Sequence, residues 1–90
     1  MAKLYRNKEG QKLYPVCSWE KNQHKLYNAY DRALIWCYDT DWSEEAMNER
    51  DRVEQAISAF DSCVINGLVY ATYQMGQIIK DIIWAYDARH

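Results

Sequence analysis

From residue 19 onward, apolar side chains recur every three or four positions almost without a break, which is the period of an amphipathic helix and not of a strand. Trp19, Leu26, Tyr27, Tyr30, Ala33, Leu34, Cys37 and Tyr38 gather on one face when placed 100° apart. Ala46, Val53, Ala56, Ile57, Phe60, Cys63 and Val64 form a second stripe, and Leu68, Ala71, Met75, Ile78, Ile79, Ile82 and Tyr86 a third. Three such stripes in 90 residues allow one domain, because each must bury its apolar face against the others. The expected fold is mainly all-α, an antiparallel three-helix bundle preceded by a short N-terminal β-hairpin or extended arm.

Terminal signals divide the chain into a hairpin or arm over residues 1–17 and helices over 18–39, 43–66 and 68–88. Ser18 is placed to cap the first helix. Ser43 followed by Glu44 and Glu45 is the clearest helix start, with Trp42 positioned to staple onto Met47. Asn66-Gly67 reads as the stop of the second helix. The same dipeptide between Cys63-Val64-Ile65 and Leu68-Val69-Tyr70 also suits a tight hairpin, but the helical spacing on both sides favours the helix. A third arrangement runs one helix through residues 43–88, which in so small a chain would need a dimer partner. In the N-terminal segment, Lys3-Leu4-Tyr5 and Lys12-Leu13-Tyr14 flank the turn Asn7–Gly10, and Pro15 is expected to end the pairing.

Composition narrows function mostly by exclusion. The first ten residues are charged, and the longest wholly apolar run, Ala33 to Tyr38, is far short of the ~20 residues that span a bilayer. A cytoplasmic protein with no membrane association is expected. The three cysteines cannot all pair and show no CxxC spacing, which fits free thiols. No phosphate-loop, dinucleotide or paired Cys/His pattern is present, so neither a cofactor nor a metal is expected. The two histidines, His24 and His90, offer little to a nucleophilic mechanism, and a non-catalytic protein is the expectation.

The aromatic content points to binding. Four Trp and eight Tyr against one Phe is a composition suited to half-wet positions and interfaces. Along the expected third helix, Tyr70, Tyr73, Gln77 and Trp84 fall on one line opposite the apolar stripe, where a surface helix normally carries charge. Trp36, outside the stripe of its own helix, adds to the candidate docking residues. The leading expectation is a protein-binding module whose partner is another protein or a second copy of itself. Small inhibitors of host machinery encoded by phages or mobile elements have this character.

Charge offers two further candidates. Residues 1–32 carry seven Lys/Arg and three Asp/Glu, whereas residues 33–90 carry four and ten. The acidic stretch is represented by Glu45, Glu49, Asp51 and Glu54, an expected solvated face that would also suit a basic groove on another protein. The basic arm, with Lys3, Arg6, Lys8 and Lys12 among tyrosines, supports an alternative reading as a nucleic-acid-binding regulator. The overall pI of 5.6 argues against it.

Overall fold

In a computed structural model, residues 5–89 are described. Lys3 and Leu4 of the expected arm lie outside them. The element order is β1 (Tyr5–Arg6), β2 (Lys12–Ser18), α1 (Trp19–Asp39), α2 (Glu44–Ser62), β3 (Val64–Ile65), β4 (Leu68–Ala71) and α3 (Tyr73–Arg89). Among the described residues three helices dominate, as expected, but the strands form an antiparallel four-stranded sheet ordered β1-β2-β4-β3. The all-α expectation is therefore corrected to a mainly helical α+β fold.

The N-terminal hairpin pairs Tyr5 with Leu13 and Arg6 with Lys12. Asn7 fixes its turn, its side-chain oxygen accepting from the backbone N–H of Glu9 and Gln11 at 3.1 and 2.9 Å. Pro15 does not end this segment. It sits opposite Tyr70 at a bulge between Pro15 and Cys17, where a residue lacking an N–H is tolerated, and β2 continues to Ser18. There the chain passes directly into α1, whose cap is the expected one: the Lys21 N–H donates to Ser18 Oγ at 3.4 Å. The Trp19 N–H donates to the Gly67 carbonyl at 2.9 Å, fastening the start of α1 to the β3–β4 turn.

The largest correction falls at Asn66-Gly67. Both residues hold left-handed backbone, φ 53° and 80°, and together they turn a two-residue hairpin that pairs Val64 with Val69 and Ile65 with Leu68. The second helix therefore stops at Ser62 and not at 66, and the third starts at Tyr73 and not at 68. A single helix over 43–88 is likewise ruled out. Thr72 caps α3, its Oγ1 accepting from the Met75 N–H at 3.3 Å.

α1 and α2 run antiparallel. At one end Trp19 Nε1 and Tyr27 Oη donate to the Asp61 carboxylate at 2.9 and 3.1 Å, and at the other a tight corner over Thr40–Ser43 reverses the chain. α3 packs on both helices and on β2, and its far end is held to α1 by the Lys25–Asp87 ion pair at 2.8 Å. The core joins Leu26, Val53, Ala56, Phe60, Val69, Ala71, Ile79, Ile82 and Ile83. Gly76 is buried against β2: a Cβ there would stand 3.3 Å from Val16 Cγ2, so its absence permits a close approach of helix to strand. No described helix is long and apolar enough to cross a membrane.

Candidate functional site

The inner and outer sides of α3 have opposite characters. Gly76, Ile79, Ile82 and Ile83 are buried, while Tyr73, Gln77, Lys80 and Trp84 project outward. Tyr73 and Trp84 are 68 % and 78 % exposed. Eleven helical positions separate them, about 16 Å along the axis, with Gln77 between. Three of the four residues expected on one line are thus together.

Tyr70 is not among them. It belongs to β4, where it is half-buried and its ring meets that of Tyr5 edge-on with centroids 5.0 Å apart. Tyr70 joins a line with Tyr73 only in a continuous helix, whereas Leu68–Ala71 form β4, in which side chains alternate between faces. In its place the fold supplies Tyr14, exposed on β2, a residue the helical line could not reveal because it comes from another element. Tyr14, Pro15, Tyr73, Gln77 and Lys80 border a depression of about 430 Å³ between β2 and the first half of α3.

Trp36 lies elsewhere. On α1 it faces a groove where α1, α2 and the last turns of α3 meet, roughly opposite in helical angle to the side of α3 that carries Trp84. Arg32 and Tyr86 line the same groove, with the Arg32 guanidinium 5.8 Å from the centroid of the Tyr86 ring.

The acidic candidates divide between two flanks of α2. By helical angle Glu45 and Glu49 share one side and Asp51 and Glu54 another. Glu49 accepts two hydrogen bonds from Arg52, at 2.9 and 3.2 Å, and Asp51 pairs with Arg50 at 3.0 Å. These carboxylates raise the pKa of both guanidiniums, chiefly through the hydrogen bonds themselves. Arg50 makes its ion pair with the adjacent Asp51, and its guanidinium also lies 5.4 Å from the centroid of Trp42. Of the basic candidates, Arg6 donates to the Gly10 carbonyl at 2.6 Å, Lys8 and Lys12 are exposed on the hairpin, and Lys3 lies outside the described residues.

Cys17, Cys37 and Cys63 are free thiols, with Cys37 buried. Burial pushes the Cys17 thiol up from its ordinary pKa, against the opposing pull of Lys80 and Lys25. Among the described residues no three His, Cys, Asp or Glu side chains are grouped to hold a metal ion. The domain is a small α+β fold that leaves two large aromatic side chains, Tyr73 and Trp84, exposed on the outer side of α3. Compared with known proteins, the chain matches no family model, no curated protein and no solved structure.

Proposed function

We propose that this chain is a non-catalytic binding module that docks on another protein through the outer face of α3, with Tyr73, Gln77 and Trp84 as anchors and Tyr14 completing the surface. The observation carrying this reading is the exposure of Tyr73 and Trp84 on a helix whose other side already fills the core. Burying one large aromatic side chain gains roughly 1.5–3 kcal/mol, so two such residues left in water hold a substantial driving force for association. Tyr and Trp dominate binding hot spots for this reason: large apolar area, few rotatable bonds and a polar tip. The depression beside Tyr73 would seat a projecting apolar side chain of the partner, and Gln77 and Lys80 at its edge would orient polar groups.

A photo-reactive amino acid placed at Gln77, used in cells that naturally make the protein, tests the reading. A specific adduct is expected, and it is lost when Trp84→Ala or Tyr73→Ala is added while helicity and melting temperature are retained. An adduct pattern indifferent to both substitutions would refute the assignment. A second copy as partner would be recognised by a crosslinked dimer and by concentration-dependent sedimentation.

A further inference from the structure

Tyr73, Gln77, Lys80 and Trp84 follow one another along α3 at intervals of four, three and four, the spacing of a seam between two helices. All four are exposed, and at 100° per residue they fall within about 60° of arc, opposite the buried Ile79 and Ile82. The stripe also has a symmetry that packing within one chain does not require. Its midpoint lies between Ile78 and Ile79, with Gln77 and Lys80 equidistant on either side and Tyr73 and Trp84 equidistant further out. Two such helices laid antiparallel about a two-fold axis through that midpoint set Tyr73 of each against Trp84 of the other, and Gln77 against Lys80.

We infer that, when no other protein occupies it, the docking face is covered by a second copy of the chain, the two α3 helices pairing antiparallel about that axis; this rests on the reading of the outer face of α3 as a docking surface. A two-fold contact needs a surface complementary to itself, and in this register each residue of the stripe meets one it can pair with. Trp84 of one copy meets Tyr73 of the other where that ring borders the depression of about 430 Å³, whose walls include Tyr14 and Pro15 of β2. Across the axis the Lys80 ammonium donates to the side-chain oxygen of Gln77. Polar residues at the centre of a seam fix register and direction at a cost in strength. The two Lys80 ammonium groups repel each other, and their long stems let them spread to solvent on either side of the axis. Four aromatic rings, at roughly 150–250 Å² each, bury about 600–1,000 Å² in total, less than a stable protein interface needs. The dimer is accordingly weak and reversible, and it yields the face to a stronger partner.

Sedimentation equilibrium of the full chain from about 10 µM to 1 mM tests this. The mean mass should rise with concentration from one chain toward two, and Trp84→Ala should hold it at one chain throughout. Two charge changes at one position read the register. Gln77→Glu sets a carboxylate against each Lys80 and should tighten the dimer severalfold, whereas Gln77→Lys sets ammonium against ammonium and should weaken it severalfold. A chain that stays monomeric to about 1 mM overturns the inference, as does a mass that grows past two chains, because a two-fold contact closes on itself. A dimer unchanged by Trp84→Ala, or one that Gln77→Glu weakens, overturns it as well. The melting temperature at the lowest concentration separates this failure from that of the docking surface. A monomeric chain whose Trp84→Ala variant melts near the native temperature loses only the second copy as occupant. One whose variant melts far lower loses the docking surface with it.

Discussion

Asp41 and Trp42 hold adjacent left-handed backbone, φ 54° and 60°, a conformation that L-residues other than glycine adopt at a cost. The hydrogen bonds explain why. The Trp42 N–H donates to the Cys37 carbonyl at 2.6 Å and the Asp41 N–H to the Tyr38 carbonyl at 3.4 Å, the paired bonds of a Schellman motif closing α1. The motif also brings the Trp42 ring against Tyr38 at 5.2 Å, where both can shield the corner from water. Glycine is the natural occupant of the first left-handed position, so Asp41→Gly should stabilise the fold by about 0.5–1 kcal/mol. Thermal denaturation followed by circular dichroism would register that gain as a rise of a few degrees. A second residue-scale prediction concerns Cys17. With its pKa raised in the folded state, the folded form keeps the thiol proton more firmly than the unfolded chain. That contribution is fully present below the ordinary value of 9.0 and is lost as pH rises through the higher folded value. Urea midpoints measured on either side of that range should therefore fall more steeply with pH for the native sequence than for Cys17→Ala.

At the scale of elements, the turn between β3 and β4 decides the topology. Gly67, at φ 80°, has open space where a Cβ would stand, so Gly67→Ala meets a backbone penalty and no clash. It should cost about 1 kcal/mol, read as a shift in urea midpoint at constant slope. Residues 63–71 are also where the sequence was hardest to read. Leu68 and Ala71 continue the helical spacing of Met75, Ile78 and Ile79, so the three-four period runs through a strand in which burial in fact alternates, with Val69 and Ala71 inward and Leu68 and Tyr70 less so. Four residues satisfy either period, and the choice depended on pairing with β2, which lies fifty residues away. Where the signals were local, they were legible. Ser18 and Ser43 cap the helices they were expected to cap, and Asn7–Gly10 turns the expected hairpin. The candidate surface divides in the same way. Tyr73, Gln77 and Trp84 follow from helical angles within one element, whereas Tyr14 joins them and Tyr70 leaves them only through the sheet.

The whole molecule is a thin slab, its Cα envelope 51 × 30 × 16 Å. A helix with its side chains is about 10 Å across, so 16 Å leaves room for little more than one helix against one neighbouring layer. Such a shape cannot enclose thirteen aromatic side chains, and the core is instead built largely from aliphatic residues around Phe60. Tyrosine and tryptophan are consequently distributed over the surface, and Tyr73 and Trp84 share the outer face of α3, the face proposed for docking. The claim on which this depends is that the outer face of α3 contributes nothing the fold requires. The melting temperature of the Tyr73→Ala/Trp84→Ala double variant measures that directly. Exposed positions outside the core contribute within about 0.5 kcal/mol each, so the melt should move by only a few degrees and keep its cooperativity. A loss of about 3 kcal/mol or more, the cost of truncating a buried aromatic such as Phe60, would assign these residues to the core and contradict the account.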